Sequence, residues 1–264
     1  MFAVADHLLH LEGEALPRDV SAEAVHALLA DGVRGVRGVR GVRGVRCGAP
    51  VSGAVYGTLL NDRHALDALG DAVHAPPYKA PPRAPILYLK PRNTLAGHGA
   101  RVSVPDANGV QVGASLGIVM GRTAARIQAR EAFDYIAGYT LVADLSVPHA
   151  SVYRPSVRFR ARDNFCVIGP AVLARRYVSD PDDLAIHVEL SGEPRFSAST
   201  STNVRGVAQL LADVTDFMTL APGDVITLGV PHGAPIAHAG QRAALTIGGF
   251  PALNIDFVAE GDAA

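Results

Sequence analysis

The hydrophobic residues of this chain fall into short runs from residue 51 onward, each bounded by glycine, proline, asparagine or aspartate. Runs of this kind predict strands, here over 53–60, 86–90, 110–120, 138–144, 184–190, 225–229, 242–247 and 253–258. A helical spacing of apolar residues predicts helices over 124–136 and 204–218 and a helical turn over 65–69. We expect an α+β domain, mainly β, in which a few short helices accompany a large mixed sheet or roll.

The first fifty residues differ in character from the rest. A short helix is predicted over 21–29, and residues 32–46 then repeat Gly-Val-Arg five times. Five arginines without an intervening acid fit a basic tag for RNA or phosphate, and the same run fits an expanded repeat in a tolerated linker. No aromatic residue in the run could stack a base, so we assign it no function. We divide the chain into an extension, 1–50, and a domain, 51–260.

Composition narrows the class of protein. The 264 residues are 48% hydrophobic, which is enough to bury a substantial core, and the formal net charge of -1 favours neither a nucleic acid nor an anionic membrane as partner. Cys47 and Cys166 lie too far apart in sequence for a zinc-ligand pair or a redox CxxC motif. No apolar run reaches the ~18–20 residues that span a bilayer. We expect a cytoplasmic protein that binds neither nucleic acid nor membrane.

Five segments together resemble one enzyme family. They are YKAPPRAPILYLKPRNT (78–94), YIAGYT (135–140), YRP (153–155), RDNFC (162–166) and TLAPGD (219–224). In this order they resemble the fumarylacetoacetate hydrolase family, over about 53–258. Within it they are most similar to the N-terminal half, or separately encoded first subunit, of the bifunctional isomerase/decarboxylases of 4-hydroxyphenylacetate (homoprotocatechuate) degradation. The resemblance implies a mixed β-roll/sandwich fold.

The resemblance also implies a metal site that this chain does not complete. Members of the family bind a small 2-oxo acid or its enol through Mg²⁺ or Mn²⁺, held by a Glu-x-Glu pair on one strand and an aspartate on the next. The glutamate positions fall on Gly113 and Ser115, and the aspartate position falls on Asp144. One carboxylate and a hydroxyl compensate little of the charge of a dication. We therefore expect no tightly bound metal in this chain, and Mg²⁺ or Mn²⁺ in a partner subunit.

Two cations are the predicted catalytic residues. Lys90 matches the family's strand-end lysine and could bind a substrate carboxylate or stabilise an enolate, although an ordinary surface lysine fits the pattern as well. Arg160 stands where metal-bearing members have a substrate-facing lysine. A guanidinium can clamp a carboxylate through two hydrogen bonds but stays protonated at neutral pH, so it cannot act as a base.

Three further residues are predicted to bind substrate, namely Asn61, Tyr153 and Arg154; loop hydrogen bonding is the alternative for each. Val230 replaces the threonine of the family's Gly-Thr-Pro segment, so one polar contact is lost. His64 and His74 flank the segment that acts as a lid in some relatives. No glutamate lies between His64 and Pro85, so the His-Glu pair that activates water in those relatives is not complete.

These residues favour an enzyme subunit of aromatic catabolism. The expected reaction is the isomerisation of 5-carboxymethyl-2-hydroxymuconate, or the decarboxylation of 5-oxopent-3-ene-1,2,5-tricarboxylate, with Lys90 and Arg160 stabilising the charge that moves to the 2-oxygen. The expected ligand is a small 2-oxo or 2-hydroxydiene dicarboxylate or tricarboxylate. The expected protein partner is a homologous metal-bearing subunit, a second copy of the chain, or both. The alternatives are a non-catalytic structural partner of such a subunit and another family enzyme that acts on a 2-oxo acid.

Overall fold

Strands dominate the computed structural model, which describes residues 2–4, 7–9, 49–51, 53–76, 79–149 and 156–262, the first two segments by their backbone. The strands are β1 Phe2–Val4, β2 His7–Leu9, β3 Val55–Leu59, β4 Ile86–Lys90, β5 Leu95–Ala96, β6 Ala100–Val104, β7 Val110–Met120, β8 Ile136–Ser146, β9 Cys166–Ile168, β10 Ala171–Ala174, β11 Ala185–Leu190, β12 Phe196–Ser199, β13 Val225–Thr227, β14 Ile236–Ala237, β15 Arg242–Ile247 and β16 Leu253–Ala259. The helices are α1 Arg63–Asp67, α2 Val157–Arg160 and α3 Val207–Phe217, with 3₁₀ segments at Gly70–His74, Arg92–Thr94, Ala129–Tyr135, Arg175–Tyr177 and Thr200–Thr202. The prediction of an α+β, mainly β domain is confirmed.

The strands form two sheets. The larger has the order β1-β2-β10-β8-β7-β13-β3-β4, with β14 beside β7 and with β9 joining β5 to β8. The smaller has the order β12-β11-β15-β16-β6. Strand β2 pairs with β10, so residues 7–9 of the predicted extension add to the sheet of the domain. The predicted helix 21–29 and the Gly-Val-Arg run lie outside the described residues.

The long hairpin of β7 and β8 separates two environments. Gly113 lies opposite Asp144 and Ser115 lies opposite Val142, so these residues share one face of the hairpin. The intervening residues, among them Leu116, Tyr139 and Leu145, are buried on the other face, in a core shared with the smaller sheet and α3. One face of the hairpin therefore holds the main core, and the opposite face carries Gly113, Ser115 and Asp144 beside a smaller apolar cluster that includes Val119 and Val142.

The larger sheet curls into a roll. β4 and β8 are separated by three strands in the sheet order, yet the Lys90 ammonium of β4 donates to the Leu145 carbonyl of β8 at 2.8 Å. β5 follows β4 in the chain and pairs with β9, which pairs with β8. These contacts bring the edge strand β4 back against β8, around the face that carries Asp144.

The predicted helix 124–136 is wrong for its first half. Only Ala129–Tyr135 is helical, as a 3₁₀ segment. The backbone N–H of Arg126 instead donates to the Thr215 carbonyl of α3, and the N–H of Ile127 donates to the Thr215 hydroxyl. The apolar spacing arises because this segment packs one side against α3, so its backbone hydrogen bonds go to another element rather than within a helix.

Several short strands were not predicted. β9 and β10 flank Gly169-Pro170, and each has only a few residues on which a period could be recognised. β6 does alternate, with Ala100, Val102 and Val104 buried, but it pairs in parallel with the distant β16. No helix in the described part of the chain is long and apolar enough to cross a membrane.

The buried imidazole of His98, between β5 and β6, predicts a pH dependence of stability. Its Nδ1 accepts from the Asn254 N–H at 3.4 Å, and burial lowers the pKa of His98 below its ordinary 6.5, against an opposing hydrogen bond to the Ala252 backbone. The unfolded chain then binds the proton more tightly, so the free energy of unfolding should fall as pH falls through about 6.5. His98→Asn should flatten this slope in urea titrations between about pH 7.5 and 5.5. His74→Asn, at an exposed histidine, should not; equal slopes in wild type and His98→Asn would contradict the assignment.

Candidate active site

Asp144 is a buried carboxylate on the site face of β8. Its Oδ1 lies 2.7 Å from Nζ of Lys90, and both side chains are 0% exposed. Nη1 of Arg160 lies 3.8 Å from the same oxygen, within ion-pair range but beyond hydrogen-bond length. A buried carboxylate requires this compensation, because an unpaired buried charge costs several kcal/mol, about 3–5 kcal/mol when one partner of a buried pair is removed.

Lys90 is fixed by more than this ion pair. Its ammonium donates to three backbone carbonyls, those of Leu145 at 2.8 Å, Phe165 at 2.9 Å and Arg160 at 3.2 Å. A lysine has three N–H donors, so all of them have acceptors within the protein. The alternation of β4 turns Lys90 to the inside and leaves Leu89 exposed. The structure therefore favours a positioning role for Lys90, and its predicted direct contact with substrate stays a prediction.

Tyr88 is a member of the site that the sequence analysis missed. Its hydroxyl donates to Oδ2 of Asp144. Burial, and then the negative charge of Asp144, hold the pKa of Tyr88 well above its ordinary value, so the phenol remains a donor. Tyr88 and Lys90 are two positions apart on β4, with Leu89 between them, so the period of two places both on one face. This spacing from Lys90 was the sequence signal that could have identified Tyr88 as a member of the site.

Arg160 ends α2 and lies over the Tyr88 ring, with its guanidinium carbon 4.5 Å from the ring centroid. Its Nε is buried and has no hydrogen-bond partner in the described part of the chain, and the side chain is 12% exposed. We call Tyr88, Lys90, Asp144 and Arg160 the Asp144 cluster. With two cations, one carboxylate and a neutral phenol, the cluster carries an excess positive charge at a guanidinium with unused donors, which suits a carboxylate ligand.

The residues at the family's metal-ligand positions do not fit a dication. A Cβ added to Gly113 would lie 2.7 Å from both methyl groups of Val230 and from the Asp144 carbonyl oxygen. The Ser115 hydroxyl accepts from the Gly229 N–H at 3.1 Å, and the Asp144 carboxylate faces Lys90 and Tyr88. Among the described residues, no group of three or more His, Cys, Asp or Glu side chains could hold a metal. The departures at Gly113 and Val230 are thus one structural change, because Val230 fills the space beside Gly113.

The other predicted residues are not brought to the Asp144 cluster by any described contact. The Asn61 amide donates to the carbonyls of Leu228 and Arg205 and accepts from the Arg205 N–H, so its hydrogen bonds hold loops together. Its substrate-binding role stays a prediction. Tyr153 and Arg154 lie outside the described residues. His64 is exposed, and its Nδ1 is 3.9 Å from the buried Asp62 carboxylate, which accepts from the His232 N–H.

Cys166 lies opposite Asp144 on β9 and is fully buried. Burial is the main cause that raises the pKa of its thiol, to about 12; Lys90 lowers the pKa and Asp144 raises it further. The thiol is therefore neutral at physiological pH and is a poor nucleophile.

The arrangement can be compared with known proteins. A family model, the fumarylacetoacetate (FAA) hydrolase C-terminal domain, matches residues 54–258. The chain belongs to the fumarylacetoacetate hydrolase family. It is 38% identical over 210 residues to the 4-hydroxyphenylacetate degradation bifunctional isomerase/decarboxylase of Escherichia coli. That match covers 80% of this chain and 48% of the relative, so the chain spans about half the length of the relative. The resemblance inferred from the sequence is confirmed.

Solved structures of the family agree with this fold. The 5-carboxymethyl-2-hydroxymuconate delta-isomerase of Mycobacterium smegmatis superposes with a TM-score of 0.69 at 27% identity, covering 84% of this chain and 86% of that one. The fumarylpyruvate hydrolase of Pseudomonas aeruginosa, solved with Mn²⁺ and pyruvate, superposes with a TM-score of 0.67 at 21% identity, covering 84% and 94%. The second likeness is evidence of fold alone. The predicted β-roll fold of the family is confirmed.

The charge balance of the Asp144 cluster predicts a large effect of Lys90→Met on stability. Removing the ammonium leaves Asp144 buried beside a single distant cation, which should cost about 3–5 kcal/mol of unfolding free energy in urea denaturation. Lys79→Met is the matched control, because Lys79 is the exposed lysine of the same chain. A loss below about 1 kcal/mol, the size expected for an exposed pair, would show that the ion pair is not buried in solution.

The packing of Val230 against Gly113 predicts how the metal site could be rebuilt. The unaltered chain should leave the electron paramagnetic resonance signal of free Mn²⁺ unchanged. Gly113→Glu/Ser115→Glu should unfold at a lower temperature and still bind Mn²⁺ weakly, because Val230 blocks the first carboxylate. Adding Val230→Gly should recover part of the thermal stability and strengthen Mn²⁺ binding. Stoichiometric Mn²⁺ binding by the unaltered chain would contradict this description of the site.

Proposed function

We propose that this chain is a subunit of an isomerase/decarboxylase of 4-hydroxyphenylacetate catabolism, and that it acts in the isomerisation of 5-carboxymethyl-2-hydroxymuconate. The observation that carries the proposal is the buried Asp144 cluster, whose excess positive charge lies at Arg160. The 38% identical relative is a bifunctional isomerase/decarboxylase, and the 27% identical structure is a delta-isomerase of this compound. The names of these two proteins favour an isomerase activity over a hydrolase activity for this chain.

The chemistry requires charge stabilisation more than bond cleavage. In the isomerisation, the 2-hydroxyl of a conjugated diene loses a proton, the electrons move along the chain, and a distant carbon gains a proton. Negative charge develops at the 2-oxygen and its neighbouring carboxylate. Arg160 can bind both in the plane of its guanidinium, and its positive charge lowers the energy of the enolate. A proton shift of this kind can proceed without a dication if the cation is fixed and desolvated.

Lys90 contributes through Asp144 in this scheme. Its donors already have acceptors, so it holds the carboxylate and the ends of β8 and β9 in place. We assign the decarboxylation step, and the Mg²⁺ or Mn²⁺ that it uses, to a homologous subunit that keeps the three carboxylate ligands. The length of the relative, about twice the matched region, supports such a pairing.

A second candidate is a non-catalytic subunit that orders the site of that partner. The full burial of Lys90 and Asp144 favours it, because these side chains offer a substrate no exposed surface. Under this alternative the chain completes an assembly, and its own cluster contributes only to stability.

Arg160→Gln separates the two candidates. Loss of a charged hydrogen-bonding partner that also stabilises the enolate, worth about 1.5–3 kcal/mol, should lower kcat/KM for 5-carboxymethyl-2-hydroxymuconate roughly 10- to 150-fold. The loss of ultraviolet absorbance of the conjugated enol measures turnover, with and without the metal-bearing partner. EDTA should not change the rate of this chain alone. The control is Arg162→Gln, two residues away, where the side chain pairs with Glu260 at the surface. Unchanged turnover of Arg160→Gln in an intact assembly would favour the structural subunit.

A further inference from the structure

Arg160 and Asp144 carry opposite charges and lie close together, yet they do not form the two-bonded pair that arginine and carboxylate usually make. Nη1 of Arg160 lies 3.8 Å from Oδ1 of Asp144, and Nε of Arg160 has no hydrogen-bond partner in the described part of the chain. A free carboxylate would be expected to rotate onto the guanidinium, since such pairs are among the strongest hydrogen-bonded contacts in proteins. Something therefore holds Asp144 away from Arg160.

The two oxygens of Asp144 are held differently: among the described residues Oδ1 accepts no hydrogen bond and is held by an ion pair, whereas Oδ2 accepts a hydrogen bond. Lys90 lies 2.7 Å from Oδ1, and the Tyr88 hydroxyl donates to Oδ2. Tyr88 also makes a cation–π contact with Arg160, because the guanidinium lies over its ring. Stacking on a ring uses the face of a guanidinium and leaves the N–H groups along its edge available. One side chain thus occupies the competing carboxylate and orients the cation.

We propose that Tyr88 is a positioning residue that keeps the N–H groups of Arg160 available for a substrate carboxylate. We also propose that Gly57 is required for this role, because its lack of a side chain leaves space for the Tyr88 ring. The inference rests on the proposed role of Arg160 as the substrate-binding cation. It assigns the specificity of the site for a planar carboxylate to Tyr88, which the family resemblance did not mark.

Gly57 determines the position of the Tyr88 ring, because the two residues lie opposite each other in the β3–β4 ladder. A Cβ at position 57 would overlap the Cζ, Cε2 and hydroxyl atoms of the Tyr88 ring. The ring therefore lies across the bare backbone of β3, and this placement directs its hydroxyl toward Asp144. Any larger residue at position 57 must displace the ring, which would break the contact with Asp144 and remove the support under Arg160.

The test measures binding of oxalate, a small planar dicarboxylate, to the full chain by isothermal titration calorimetry. Oxamide, its neutral diamide, controls for shape. Wild type should bind oxalate and not oxamide. Tyr88→Phe keeps the ring but frees Oδ2 of Asp144 to take Arg160, so oxalate affinity should fall about 10-fold, the equivalent of one charge-assisted hydrogen bond. Gly57→Ala should lose at least as much. Tyr56→Phe, the same change on the opposite face of the neighbouring strand, should bind as wild type.

A second variant separates positioning from general damage. In Tyr88→Phe/Lys90→Met/Asp144→Asn the side chain at 144 has no charge with which to capture Arg160, and no buried ammonium is left without its counter-charge, so oxalate affinity should return to within about 3-fold of wild type. A role of Tyr88 in stability alone predicts further loss instead, and thermal unfolding of each variant confirms that folded protein is measured. Wild-type affinity in Tyr88→Phe, or no recovery in the triple variant, would overturn the inference while leaving the role of Arg160 intact. Failure of wild type to bind oxalate would overturn the proposed function and this inference together.

Discussion

The burial of the Lys90 ammonium is the constraint on which the rest of the structure depends. A charge removed from water must be paired and hydrogen-bonded, and here three carbonyls and one carboxylate perform that task. The acceptors come from β8, from the end of α2 and from the residue before β9, while the lysine itself ends β4. The hydrogen bonds and the ion pair of this one ammonium therefore hold the edge strand β4 against β8. The contacts of the Lys90 ammonium thus stabilise both the curled sheet and the candidate site.

The same requirement explains why Asp144 is present although the other two metal-ligand positions hold Gly113 and Ser115. In a metal-bearing arrangement the aspartate serves the dication; in this chain it neutralises Lys90 and accepts from Tyr88. Replacing it would leave a buried ammonium without its counter-charge. The aspartate thus has a structural reason to remain that does not depend on metal. Arg160 supplies the remaining positive charge, so the cluster carries an excess positive charge, which favours an anion over a cation.

Much of the fold could be read from local pattern, whereas the site could be read only in part. The bounds of β4, β7 and β15 follow from apolar runs, because a strand that is buried on one or both faces needs apolar residues at alternate or consecutive positions. The helix expected over 124–136 was wrong since its backbone bonds to α3, an interaction that no local window contains. Lys90 and Arg160 were found through the family resemblance. Tyr88 was missed although it shares a strand face with Lys90, because its hydrogen-bond partner Asp144 lies 56 residues away in the sequence and no local pattern indicates that contact.

The hairpin of β7 and β8 shows how one fold can keep its stability while its chemistry changes. Its alternate residues pack into the main core, so the energy of folding resides mostly on that face. The opposite face holds Gly113, Ser115 and Asp144 together with a smaller apolar cluster that includes Val119 and Val142, so a substitution there leaves the main core in place. Val230 fills the room that Gly113 leaves, so even the loss of a carboxylate is compensated by packing. A strand period of two thereby separates the residues of the main core from those at the family's metal-ligand positions, so the hairpin keeps its core packing although two of those positions hold no carboxylate.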